Sequence, residues 1–345
     1  MIAYIIRRLL FLPLVVTGVS MLIFSLLMMM SPFSRLAVYI TDPSALKQGP
    51  QELDEMVEAL GLNDPAWIQY GRWMKEILHG NFGWSESARQ PVLRAIRTLL
   101  PASAELSLYA AFPVIFLGIW LGKISAVHQN TLVDHVSRVT AIIGWSFPTF
   151  VFGILSLLVF YSILGWFPPG RLSLAASRIV QSDAFARYTG MHTVDALLNG
   201  NFYVFFDALR HLAAPVITLA YVSWAMILRL MRSSMLETLR QDYVVTARSK
   251  GLSERIVINK HAKRNALLPV TTVAGLMVAG LLNGVVVVET VFNFRGLGAF
   301  AASAAVQLDM PSILGFSLFN GVLLVVTNLV VDIMYAFFDP RVRLE

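Results

Sequence analysis

Behind the pair Arg7-Arg8 the chain reads Leu-Leu-Phe-Leu-Pro-Leu-Val-Val-Thr-Gly-Val-Ser-Met-Leu-Ile-Phe-Ser-Leu-Leu-Met-Met-Met, from Leu9 to Met30. Twenty-two residues without a charge, at 1.5 Å per helical residue, are enough to cross a hydrocarbon layer about 30 Å thick. The run ends in Met28-Met29-Met30-Ser31-Pro32, with no small-residue cleavage site of the kind a secretory signal carries. It therefore predicts an uncleaved transmembrane helix with its N-terminus inside. Composition extends that reading to the whole chain. Of 345 residues 57% are hydrophobic and only 14% charged, about half the charge of a soluble domain, and the mean hydropathy is +0.67. One water-soluble core could not hide that much apolar surface, so the surplus is expected to face lipid. Disorder, collagen and coiled coil each need a far more polar, Gly/Pro-rich or heptad-charged composition. The absence of Cys removes disulfides, thiolate metal sites and cysteine nucleophiles.

Five further apolar stretches follow, at about 101 to 122, 137 to 162, 211 to 231, 267 to 288 and 313 to 338, for six predicted spans in an all-α membrane protein. The predicted domains are 1–30, a tail and first span; 31–98, a small extracytoplasmic domain; 99–338, a five-helix membrane core with an inner loop at 229–264; and a cytoplasmic tail, 339–345. Within 31–98 a helical pattern from Gln51 to Leu60 stops at Gly61. Charge sets the orientation. With the N-terminus inside, the inner segments hold 15 of the 27 Lys and Arg, while the longer outer segments hold 12, balanced by 13 acids. That is the positive-inside bias. It explains a net charge of +6 without nucleic acid as a partner and places both termini in the cytoplasm.

Motifs for chemistry are missing. Gly118-Ile-Trp-Leu-Gly122-Lys123-Ile124 falls one residue short of a P-loop and lacks its hydroxyl, so no ATP site is expected by that route. Gly296-Leu-Gly298 formally fits a relaxed dinucleotide fingerprint but sits in an outer loop with no strand-turn-helix unit. The six His show no metal-ligand spacing, and no Ser occupies a nucleophile elbow. The sequence therefore leads us to expect no catalytic residue, no metal and no cofactor held by this chain. Polar residues inside spans are costly and face a bundle interior or a water-filled path. Glu105, Asn283, Asn320, Asn328 and Asp332 are the candidates for lining a path, against the plainer expectation of structural hydrogen bonds. Pro113, Pro148 and Pro215 are expected to kink their spans.

The longest inner segment, Arg229 to Arg264, carries nine basic and three acidic residues. Ser234 to Lys250 reads as one amphipathic helix with Met235, Leu236, Leu239, Tyr243, Thr246 and Ala247 on its apolar face. Gly251 would cap it in the left-handed conformation, and Ser253 would cap a second helix leading to Leu268-Pro269. By residues alone, such a helix serves equally to dock in a partner's groove or to lie on anionic lipid.

The run Asp242-Tyr-Val-Val-Thr-Ala-Arg-Ser-Lys-Gly251-Leu-Ser-Glu-Arg, with Lys260-His-Ala-Lys-Arg-Asn265-Ala-Leu-Leu-Pro269, resembles the cytoplasmic coupling loop of binding-protein-dependent ABC importer permeases of the peptide/nickel branch. The general signature is Glu-Ala-Ala, three residues, Gly, then a later Leu-Pro. Here the triplet is Val245-Thr246-Ala247, and Leu268-Pro269 follows Gly251 after 16 residues. Tyr4-Ile-Ile-Arg-Arg8, Gly61-Leu-Asn-Asp-Pro65, Gly80-Asn-Phe-Gly83-Trp-Ser85, Gly165-Trp-Phe-Pro-Pro-Gly170, Glu289-Thr-Val-Phe292 and Asp339-Pro-Arg341 resemble the same branch, in order along nearly the whole chain.

The resemblance implies a type I importer permease fold in a bacterial or archaeal cytoplasmic membrane. It implies a second homologous permease, two ABC ATPase subunits that bind ATP and Mg, and an extracytoplasmic substrate-binding protein that would dock on 31–98 and 163–210. Glu237, Asp242, Tyr243, Thr246, Ala247, Arg248, Lys250 and Gly251 would then form the contact to the ATPase. Short peptides are the first expected cargo, ahead of oligosaccharides and nickel chelates. A stand-alone secondary transporter using Glu105 and Asp332 is the distant alternative.

Overall fold

The computed structural model describes residues 2–40, 49–282 and 285–338. Its elements, in chain order, begin with α1 (Ile2–Met28), α2 (Pro32–Tyr39), α3 (Pro50–Ala59) and α4 (Ala66–Leu78). Next come the two-residue strands β1 (Trp84–Ser85) and β2 (Gln90–Pro91), and the long α5 (Val92–Val127). There follow α6 (Leu132–Ser146), α7 (Thr149–Ser156) running into a π-helical turn at Leu157–Ile163, α8 (Leu174–Gln181), α9 (His192–Leu198) and α10 (Phe202–Leu239). After α11 (Asp242–Ser249) and the single turn α12 (Glu254–Ile256), a π-helical stretch, Val257–Ala262, leads into α13 (Lys263–Leu282). The chain continues through α14 (Val286–Val291), α15 (Leu297–Val306) and α16 (Met310–Phe338). Among the described residues β1 and β2, paired antiparallel, are the sheet.

Contacts divide the chain into two compact units. One comprises residues 2–103 and 295–329, the other, among the described residues, 104–294 and 330–338. In the first, Phe24 of α1 meets Tyr70 and Trp73 of α4 with ring centroids 5.4 and 5.5 Å away, and Leu27, Val38, Leu314 and Leu318 complete that core. Gly61 ends the 51–60 helix with φ +61°, as the sequence predicts. Gly83 is required by both its conformation and its surroundings: its φ is +83°, and a Cβ there would lie 2.8 Å from the carbonyl oxygens of Ala37 and Val38. Asp309 ties this unit across more than 200 residues. Its carboxylate accepts from Ser85 Oγ at 2.9 Å, from the Ser87 amide and hydroxyl at 3.0 and 2.8 Å, and from Ser312 Oγ at 2.7 Å. Burial pushes this carboxyl up, but the donors together outweigh burial and hold it below the usual carboxylate range.

The second unit is organised on α10. Ile227, Met231 and Met235 of α10 pack with Val114 and Ala126 of α5 and with Ala266, Val270 and Ala274 of α13. The sequence Gly118-Ile-Trp-Leu-Gly122, which falls short of a P-loop, is a close-packing motif here. A Cβ on Gly118 would come within 2.5 Å of Ile227 Cβ, and one on Gly122 within 2.7 Å of the Leu228 carbonyl oxygen. Small residues four apart let two helix backbones approach where lipid supplies no hydrophobic drive to hold them together.

Among the described residues three helices are long and apolar enough to cross a membrane, α5, α10 and the Met310–Val330 part of α16, and a fourth if a bent pair is counted. That pair covers the span expected at 137–162, which is not straight: α6 and the α7 segment meet at 103° at Pro148, one of the expected kink sites. Pro148 has no amide hydrogen and pushes Phe147 into an extended conformation, φ −77° and ψ 127°, so the helix cannot continue. Pro215, in contrast, lies inside a continuous α10, and Pro113 inside a continuous α5. In the 9–30 run the helix stops at Met28, two residues early.

Gly122→Leu should force α5 off α10, costing about 1–3 kcal/mol. The expected outcome is a lower melting temperature of the detergent-purified protein, while Gly18→Ala, in α1 with nothing within 4 Å of the added carbon, does not lower it.

Candidate functional site

The inner segment 229–264 is not one helix followed by another. α10 ends at Leu239, Arg240 still has helical angles, and Gln241 is extended, with φ −73° and ψ 146°, before α11 starts at Asp242. The expected helix Ser234–Lys250 is thus broken, and the break shifts the buried face beyond it, although Ala247 stays buried as expected. Before the break Met235 is fully buried and Leu236 and Leu239 are half-buried, as expected. After it the buried positions are Val244 and Ala247, which pack on Val257 and Leu239. Tyr243 and Thr246, expected on the apolar face, are turned outward.

The outward face of α11 consists of Asp242, Tyr243, Val245, Thr246, Arg248 and Ser249, with Glu237, Lys250 and Gly251 flanking it in the open. Tyr243 and Val245 are 42% and 51% exposed, which is unusual for apolar groups on so firmly anchored a helix. Asn265 Nδ2 donates to the Tyr243 hydroxyl at 3.0 Å, fixing the ring against α13. Gly251 has φ +75°, the left-handed conformation expected of it. The amide of Gly251 donates to the Arg248 carbonyl at 2.9 Å, and Arg248 pairs with Glu254 at 2.7 Å across the turn. Ser253 opens α12 with extended angles, but its carbonyl, not its hydroxyl, takes the Ile256 and Val257 amides.

Above α11, one buried ion pair fastens α10 to its neighbours. Arg232 of α10 donates from Nε to Asp134 Oδ1 and from Nη2 to Oδ2, each at 2.7 Å. Ser125 Oγ of α5 and the Asn130 amide complete the carboxylate's partners at 2.5 and 3.0 Å. This planar two-bond clasp links α5, α6 and α10. Neither residue stands out in the sequence, because their partnership spans 98 positions with no spacing to betray it.

Glu105 also has its carboxylate committed. It is buried and accepts from Arg171 Nη2 at 2.8 Å and from the Thr193 amide and hydroxyl at 2.7 and 2.8 Å. It thereby anchors the segment 163–210, where Asp195 accepts from the Thr189 and Gly190 amides at 2.8 and 2.9 Å and Gly170 donates to the Phe292 carbonyl at 2.8 Å. In the same pocket His192 is pulled down to about 4, first by burial and then by the Arg171 charge, against the opposing pull of Glu105 and Asp195. On α16, Asn320 is half-buried and hydrogen-bonded or otherwise partnered, and Asn328 is exposed. Asn283 lies outside the described residues, as does the side chain of Asp332.

Long apolar helices, close small-residue packing and paired charges between helices define a multi-pass membrane protein. Residues 115–344 match the family described as binding-protein-dependent transport system inner membrane component, and the chain belongs to that family. It is 35% identical, over 99% of its length and all of the relative's, to the dipeptide transport system permease protein of Alkalihalophilus pseudofirmus. It is 40% identical over 87% of its length, and 88% of the relative's, to the probable D,D-dipeptide transport system permease protein of Escherichia coli K12. The oligopeptide transport system permease protein of Bacillus subtilis is 35% identical over 99% of this chain and its own full length.

Two outcomes follow from this geometry. Asp134→Ala leaves Arg232 largely buried without a counter-charge and should cost about 3 kcal/mol, read as a lower melting temperature that Arg232→Met in the same chain partly restores. His192 binds protons less readily folded than unfolded, so stability is lost as pH falls from 6.5 towards 4, by at most about 1.4 kcal/mol per pH unit. Amide protection factors in α8 and α9, which correct for the intrinsic pH dependence of exchange, should fall over that window in the native chain and stay flat in His192→Gln.

Proposed function

We propose that this chain is one of two membrane-spanning permeases in an ATP-driven importer of short peptides. A type I arrangement of six spans with both termini in the cytoplasm, the small outer domain 31–98 and the core 99–338 accord with the positive-inside distribution of Lys and Arg. The full-length similarity to permeases of dipeptide and oligopeptide transport supports the peptide cargo over oligosaccharides and nickel chelates. ATP and Mg would be held by two ATPase subunits, since this chain has no phosphate-cradling loop of its own. A substrate-binding protein would deliver the peptide to the outer surface, where 163–210 is held firm by Glu105, Arg171 and Asp195.

The observation that carries the reading is α11. It is anchored from below by Val244 and Ala247 on Val257, yet it presents Asp242, Tyr243, Val245 and Thr246 outward. A helix held rigidly to the membrane core with an uncovered mixed face suits a lever that fits a groove of an ATPase. Movement of the ATPases would then reach the core as a rigid-body shift of α11 with α10 and α13, alternating the access of the path between the two sides.

Gly251→Val tests this. A β-branched residue at φ +75° is strained, so α11 should tilt. The expected result is peptide uptake reduced about tenfold or more while ATPase activity of the purified complex persists. Unchanged uptake in that variant counts against the lever. A tagged chain that brings down no second permease and no ATPase counts against the assembly.

A further inference from the structure

We propose that α5 and α13 together hold a binding site for an anionic phospholipid, with an acyl chain in the groove between the helices and the phosphate at the lysines that close one end. The groove, of about 380 Å³, is lined by Phe112, Phe116, Ile119, Trp120 and Leu267, and ends at Lys123 and Lys263. These positions recur at three- and four-residue steps on α5, so they form one face. Phe112 and Phe116 stack at 5.7 Å and are 71% and 54% exposed, so the wall is open to the outside.

A second hollow shares Lys123 and is bounded by Arg255, Asn259 and Lys260. Asn259 Oδ1 accepts from Lys123 Nζ at 3.5 Å. Four cations thus converge where the apolar groove stops, and among the described residues no carboxylate lines either hollow. The acid nearest in sequence, Glu254, is taken by Arg248. Among the described residues none of the four cations has an ion pair.

Uncompensated like charges repel, and an anion at their centre relieves the repulsion. The shape of the whole site selects the anion. An apolar trough joined end to end with a basic cluster matches an amphiphile whose charge sits at one end, and a Trp followed by a Lys at a helix end is the ordering found at the hydrocarbon boundary. An acidic protein patch would use the cations and leave the groove empty; a second permease packed on the groove would have no need of the cations. The site depends on membrane placement alone and is independent of which cargo the transporter carries.

Native mass spectrometry of the assembled transporter, with phosphatidylglycerol or phosphatidylcholine added, reads the site directly. Phosphatidylglycerol should be retained at about tenfold lower concentration than phosphatidylcholine, as expected for several basic contacts to one phosphate. K123Q with K263Q should bring that ratio close to one, in a complex whose subunit composition and elution profile are unchanged. A photoactivatable phosphatidylglycerol should label the peptide carrying Phe112 to Lys123. Equal retention of the two lipids by the native complex overturns the proposal. A preference that survives the double variant, or a crosslink from Phe116 to the second permease in place of lipid, overturns it too.

Discussion

In hydrocarbon a peptide amide has no water to turn to, and each backbone donor left unpaired costs several kcal/mol. Everything in this chain is arranged around that constraint. α5, α10 and α16 satisfy it internally, and α10 does most of the organising, since helices from several parts of the sequence pack along its 38 residues. Association of such helices gains nothing from expelling water, so contact distance and buried polar pairs take over. Gly118 and Gly122 supply the first by letting α5 approach α10 to within a side chain's radius. Asp134 and Arg232 supply the second through two hydrogen bonds of 2.7 Å.

The same two devices connect the membrane core to α11. Arg232 lies two turns before the end of α10, and Met235 lies between it and Leu239, the residue on which Val244 and Ala247 of α11 rest. Force applied to the outward face of α11 therefore meets a stack of buried contacts and not a flexible hinge. The one place where the backbone gives way, Arg240-Gln241, reorients α11 without loosening it, because the buried faces on both sides of the break are filled. Proline divides the labour differently: α6 ends just before Pro148, while Pro215 is accommodated within α10.

Charge inside the protein is handled by enclosure. Glu105, Asp134, Asp195 and Asp309 are all buried, and each has its oxygens filled by hydroxyls, amides or a guanidinium. Glu105 was a candidate for lining a path on sequence grounds; its oxygens are committed to Arg171 and Thr193. By contrast Lys123, Lys260 and Lys263 stand where a groove meets the surface, the arrangement of charges that await a partner from outside.

Sequence alone determined the class of the protein and much of its plan. Run length, hydropathy and the distribution of Lys and Arg follow from the one-dimensional requirement that a segment cross a layer of fixed thickness. Gly61 and Gly251 were legible because a left-handed turn demands a residue without a Cβ, whatever surrounds it. Tertiary structure decided what depends on residues far apart in the chain: the clasp of Asp134 on Arg232, the donors gathered by Asp309, and the enclosure of Glu105. It also decided which face of α11 is buried. One extended residue, Gln241, turns Tyr243 and Thr246 outward and Val244 inward, and no periodicity carried through from Ser234 can register a break that the packing of Val244 on Val257 makes favourable.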